Sequence, residues 1–170
     1  MPDVLPGPGD PPLRVLFCGI NPGLVSAATG HHFARPGNRF WPALHGGGFT
    51  PHQLRPDQQG ELRALGIGLT NLAPRPTARA DQLDTDELRA GGERLRELCS
   101  RLRPRWLAVV GITAYRTAFA EPRAAIGEQA REIGETRIWA LPNPSGLNAH
   151  WPLPALADEF ARLRAAVEAS

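Results

Sequence analysis

The sequence predicts an α/β fold: a three-layer α/β/α sandwich around a mainly parallel, four- or five-stranded central sheet. Three observations carry that expectation. Short apolar runs at 13–18 (LRVLFC), 67–71 (IGLTN), 105–110 (RWLAVV) and 137–141 (RIWAL) read as buried parallel strands. Helical patterns fill the intervals between them, the arrangement of β-α-β units with right-handed crossovers. The length, 170 residues, suits one domain with a sizeable core.

Residues 1–12 (MPDVLPGPGDPP) are rich in Pro and Gly and read as a flexible N-terminal arm, leaving 13–170 as the single domain. After the first strand, Asn38 is a candidate cap for a helix over 38–46 that carries Phe40, Trp41 and Leu44. Pro56-Asp57 opens a short amphipathic helix over 57–65 ahead of the second strand. The helix over 85–103 starts at Asp84, with Glu87 three positions on completing a capping box. Its apolar stripe Leu88, Leu95, Leu98, Cys99 and Leu102 has helical spacing. Residues 112–120 follow the third strand with Ile112, Tyr115 and Phe119. The last helix, 153–168, buries Leu156, Phe160, Leu163 and Val167.

Composition narrows the chemistry. No run reaches the ~18 apolar residues that span a bilayer, and no charged-then-apolar leader opens the chain, so the expected address is cytoplasmic and without a membrane partner. Cys18 and Cys99 fall in a strand and a helix, far apart and without a C-x-x-C; they read as buried thiols, and neither a zinc site nor a four-cysteine cluster is expected. The pair His31-His32 lacks a neighbouring carboxylate, so no metal and no cofactor are expected. All 19 basic residues are arginine. A Walker phosphate loop and imine-forming catalysis both lose their lysine. Net charge is only +2, too small to argue for nucleic acid by itself. Placement says more: Arg35, Arg39, Arg75 and Arg79 lie in Pro/Gly/Thr-rich segments after the first and second strands. The arginines of the 85–103 helix alternate with Glu87, Glu93 and Glu97, as on a solvated face.

One signature occurs twice, each time where a strand runs out: Gly19-Ile20-Asn21-Pro22-Gly23 after the first strand and Pro142-Asn143-Pro144-Ser145-Gly146 after the fourth. Proline keeps each preceding asparagine out of the helical region, and carboxyl ends of strands are where open α/β sheets bind ligands. Asn71 ends the second strand, bringing three asparagines to one end of the sheet. Each is either a turn residue satisfying local backbone or part of a shared site.

A carboxamide has no useful basicity, but it can hold a water by hydrogen bonds. Such a site suits a reaction whose leaving group departs largely by itself, for example hydrolysis of an N-glycosidic bond to a base that leaves as a stable anion. The protein then supplies orientation and fixed N–H donors, with backbone around Ile20 and Ser145-Gly146 as the natural source. Phe33 is either a core aromatic or a ring for a flat base to stack on. Leu147, a lone leucine in a polar loop, is either a local anchor or a wedge for the gap left when a nucleotide leaves a duplex.

The segments Gly19-Ile20-Asn21-Pro22-Gly23-Leu24, Gly30-His31-His32-Phe33, Pro36-Gly37-Asn38-Arg39-Phe40-Trp41, Gly66-Ile67-Gly68-Leu69-Thr70-Asn71, Glu87-Leu88-Arg89-Ala90-Gly91-Gly92 and Asn143-Pro144-Ser145-Gly146-Leu147 resemble the mismatch-specific uracil/thymine DNA glycosylases, in order over most of 13–165. The resemblance implies a monofunctional hydrolase without lyase activity. It would act as a monomer on double-stranded DNA, removing uracil from mispairs with guanine, with thymine or adducted cytosines as further candidates. The abasic product would pass to base-excision repair enzymes. By matching motif positions, Asn21 would place the water. Ile20, Ser26, Phe33, Asn71, Asn143 and Ser145 would form the base pocket. Gly146, Leu147 and Asn148 would form the insertion loop, joined at the DNA by Arg35, Arg39 and Arg75. Ala149 and His150 stand where that family usually carries an arginine. Two other readings compete: a non-catalytic lesion sensor on the same fold, and a small-molecule nucleoside hydrolase.

Overall fold

The computed structural model describes all 170 residues. Its five-stranded sheet is built from β1 (Val15–Gly19), β2 (Ile67–Asn71), β3 (Trp106–Val110), β4 (Gly127–Ile133) and β5 (Thr136–Leu141), in the order β2-β1-β3-β5-β4. The pairs β1–β2, β1–β3 and β3–β5 are parallel and β4–β5 is antiparallel. Side chains alternate across the sheet, as the two-residue period of a strand requires. Val15 and Phe17 of β1, Trp106 and Ala108 of β3 and Trp139 of β5 face one core, while Leu16, Cys18, Leu107, Val109 and Ile138 face the other.

Helices close both faces. On the first, α2 (Phe40–Gly46) packs with α5 (Leu153–Glu168), which buries Leu156, Phe160, Leu163 and Val167. On the second lie α3 (Thr85–Leu102) and α4 (Ile112–Ala118). Right-handed crossovers that run in opposite directions along the sheet, β1 to β2 and then β2 back past β1 to β3, must lie on opposite faces. The β1-to-β2 link accordingly carries α2, and the β2-to-β3 link carries α3. No helix is long and apolar enough to cross a membrane.

The three-layer arrangement and the parallel sheet agree with the sequence expectation, and four details differ. The edge strand β4 (GEQAREI) was not foreseen, because its alternating, mostly polar residues bury only one side. A short helix, α1 (Leu24–Thr29), follows the Asn21 loop; its six residues are too few to show a period. Residues 56–65 form a 3-10 rather than an α-helix. The N-terminal residues are engaged rather than loose: Val4 N–H donates to Leu69 O (2.9 Å) and Leu69 N–H to Val4 O (2.8 Å). Val4 is buried there, and Thr70 Oγ1 donates to Asp3 Oδ1 (2.9 Å). The open edge of β2 offers unpaired backbone groups, and this segment satisfies those of Leu69, at the middle of the strand.

Candidate active site

Because β1 sends the chain to β2 on one side and the sheet continues to β3 on the other, the strand order reverses at β1. That crevice is where open α/β sheets bind ligands. A cleft of about 570 Å³ opens there, lined by Ile20 and Asn21 after β1, Asn71 at the end of β2 and Asn143 and Ser145 after β5. Ser26, Phe33, Arg35, Leu147 and Asn148 complete the wall among the expected residues.

Asn21 is held from one side. Its Nδ2 donates to the Arg75 carbonyl (2.8 Å) and to Thr77 Oγ1 (2.8 Å). A carbonyl only accepts, so the NH2 group must point there. Thr77 donates its own proton to Arg79 O (2.6 Å), which leaves its oxygen free to accept. The carboxamide Oδ1 takes no protein hydrogen bond and is not among the buried orphan atoms, so it opens on the cleft. Thr77 was missed in the sequence, where a threonine in a Pro/Arg-rich loop gives no sign of its partner.

Phe33 sits at φ +53 in the loop after α1. Its ring stacks on Phe40 of α2, centroids 4.0 Å apart and nearly parallel at 17°, with the cleft beyond. A Cβ at Gly19 would lie 2.8 Å from Asn71 Oδ1 and 3.2 Å from Phe33 Cζ. The glycine therefore lets ring and amide meet over the strand end. Asn71 has no protein hydrogen bond to its side chain and presents both donor and acceptor to the cleft. Ser26 is buried, and its Oγ accepts from Ala34 N–H (3.1 Å), so it also anchors the Phe33 loop.

The second loop is braced internally. Asn143 Oδ1 accepts from Ser145 N–H (3.0 Å), Ser145 Oγ from Leu147 N–H (3.2 Å), and Asn143 O from Asn148 Nδ2 (3.0 Å). The Ser145 N–H is thus occupied, contrary to its expected role as a base-facing donor, whereas Gly146 N–H has no protein acceptor. Gly146 packs against the Phe33 side: a Cβ there would lie 2.8 Å from Gly37 O. Leu147 is 66% exposed, so a role as a local anchor is not what the fold gives it.

The expected arginines divide. Arg35 lines the cleft, exposed and without an ion-pair partner. Arg39 instead turns inward, donating to Asn148 O (2.9 Å) and Trp151 O (3.1 Å), and its backbone N–H reaches Pro144 O (2.9 Å). It braces the Leu147 loop. Arg75 points away from the cleft and forks onto Glu87 (2.7 and 2.8 Å). Neither was legible as a brace, since sequence shows the charge and not the acceptor it meets.

His32 is buried beside this wall. Its Nε2 lies 2.9 Å from Pro2 O and so carries the proton, and its backbone N–H donates to Gln59 Oε1 (2.8 Å). Burial, the largest influence, holds its pKa below the ordinary value, favouring the neutral ring. Burial likewise pushes Cys99 up to about 12 and Cys18 well above its usual range, which denies both thiols a nucleophilic role. No three His, Cys, Asp or Glu side chains gather as a metal site. The cleft offers carboxamides, hydroxyls, one aromatic face, the Arg35 guanidinium and, at its rim, the Arg79–Asp81 ion pair.

The sheet thus carries a carboxamide cleft at its switch point, with an exposed leucine on the facing loop. Residues 6–168 match the family model described as the uracil DNA glycosylase superfamily, and the chain belongs to that family. At that level it is a uracil-type DNA glycosylase, an N-glycosyl hydrolase whose substrate is DNA.

Proposed function

We propose that the protein is the mismatch-specific form of this activity. It removes uracil paired with guanine in double-stranded DNA, as a monomer in the cytoplasm, and leaves an abasic site for base-excision repair. The observation that carries this reading is Asn21: its NH2 is locked by Arg75 O and Thr77 Oγ1 while its Oδ1 is free in the cleft.

In this reading the extruded uracil stacks on Phe33 and meets the Asn71 carboxamide along its edge. As the glycosidic bond lengthens, negative charge spreads over the departing pyrimidine, and a free donor that lines the cleft, the Asn71 NH2, stabilises it. Asn21 Oδ1 accepts a hydrogen bond from a water and aims its oxygen at the cationic sugar carbon. No strong base is needed, because the electrophile is already formed when water attacks; the water's surplus proton ends on the uracil anion, and the contribution of Asn21 is positional. Leu147 fills the space the nucleotide vacates, and Arg35 meets a phosphate. The chain has no lysine to form an imine with the abasic aldehyde, in keeping with a monofunctional hydrolase. Thymine and adducted cytosines are candidate further substrates through the same neutral amide edge.

Single-turnover base release from a uracil·guanine duplex tests the proposal. Asn21→Ala should lose nearly all cleavage and keep duplex binding. Mismatch binding by wild type with no base released would instead establish a lesion sensor, and cleavage of free deoxyuridine a small-molecule hydrolase.

A further inference from the structure

Asn21 is held by a loop, and that loop is tied to α3 by an ion pair. Between Asn71 and Thr85 the chain contains only the short 3-10 turn Ala80–Gln82, so tertiary bonds set its path. Arg75 supplies two of them and a third bond inside the loop. Its Nε donates to Glu87 Oε2 (2.8 Å), and its Nη2 to Glu87 Oε1 (2.7 Å) and Gln82 O (3.0 Å). Glu87 stands in the first turn of α3 and is fixed in turn: its N–H donates to Asp84 Oδ1 (2.7 Å), and its Oε1 accepts from Asp84 N–H (3.3 Å). The helix packs closely on the start of this loop, since Gly91 meets the Leu72 carbonyl with no room for a Cβ.

We propose that Arg75 and Glu87 are positioning residues for catalysis: their fork fixes the Arg75 carbonyl, and through it the direction of the Asn21 carboxamide. The inference rests on the reading of Asn21 as the water-placing residue. A bidentate pair defines orientation as well as distance. The side chains are 51% and 28% exposed, a setting in which ion pairs add little to global stability. A pair that is nearly silent for folding yet decides where a catalytic oxygen points affects rate far more than stability.

The experiment compares Glu87→Gln and Arg75→Lys with wild type. An amide in place of the carboxylate, or an ammonium in place of the guanidinium, breaks the fork and leaves bulk in place. Single-turnover uracil release is measured alongside affinity for a duplex carrying a non-cleavable 2′-fluoro-deoxyuridine, and alongside the thermal midpoint. The expected result is a rate lower by roughly ten- to a hundredfold, with affinity and midpoint unchanged. Wild-type rates in both variants would overturn the inference. So would a loss confined to duplex affinity, which would make Arg75 a phosphate contact. An active Asn21→Ala protein would overturn the reading of Asn21 and the inference with it. An inactive Asn21→Ala beside unaffected fork variants would sink the inference alone.

Discussion

Gly19 shows how much of the site depends on one missing methyl. It ends β1 where Asn71 Oδ1 and the Phe33 ring converge, and a Cβ would press on both. Gly19→Ala should fold, since the residue is in regular strand, but displace ring or amide by a few tenths of an ångström or more. Base release should fall by roughly tenfold or more, read in single turnover against unchanged far-ultraviolet circular dichroism. At this scale the sequence was informative about residue type. The paired Asn-Pro loops pointed to Asn21 and Asn143 together, because proline fixes the turn and the strand fixes its place. It was uninformative about bonding partners. Thr77, which accepts from Asn21, lies 56 positions away, and nothing local couples the two.

At the scale of elements, long periodic segments were legible and short or edge segments were not. The helix α3 was readable from its capping box and stripe, and Glu87 N–H does donate to Asp84 Oδ1. The strand β4 and the helix α1 carry no such signal. The N-terminal residues illustrate the limit best: composition marks them as loose, yet they complete the β2 edge. Val4→Pro removes the N–H that serves Leu69 O and leaves a carbonyl short of its partner. A loss of about 1–3 kcal/mol is expected, measured as a lower urea midpoint with an unchanged slope.

Over the whole molecule, the buried His32 links stability to pH. Burial lowers its pKa from the ordinary 6.5, against smaller opposing effects of Pro2 O and Asp3. The unfolded chain therefore takes up a proton below pH 6.5 that the folded chain declines. Stability is at its full value above that pH and falls as pH drops through it. Glu87 acts in the same sense further down. Its hydrogen bonds to Arg75, then to Asp84 N–H, hold the carboxyl at about 2 instead of 4.5; its share, small because solvent screens the exposed pair, is complete above 4.5 and fades towards 2. Urea midpoints should be flat between pH 6.5 and the approach to 9, where the raised cysteine thiols begin to oppose folding, and decline below 6.5. His32→Gln, which keeps a donor for Pro2 O, should remove the upper part of that decline; an unchanged profile would show that His32 is not the group responsible.

The sequence by itself determined the α/β class, the strand ends that carry the site and the neutral character of its chemistry, because apolar periodicity, Asn-Pro turns and missing residue types are local properties. Only the tertiary structure decided that Arg35 and Arg79 line the cleft while Arg39 and Arg75 serve as braces. It likewise decided that the first residues close a sheet edge, and that Asn21 presents its oxygen rather than its NH2 to solvent. Each of those outcomes depends on a partner distant in the chain, and hydrogen-bond direction is settled only when donor and acceptor meet in space.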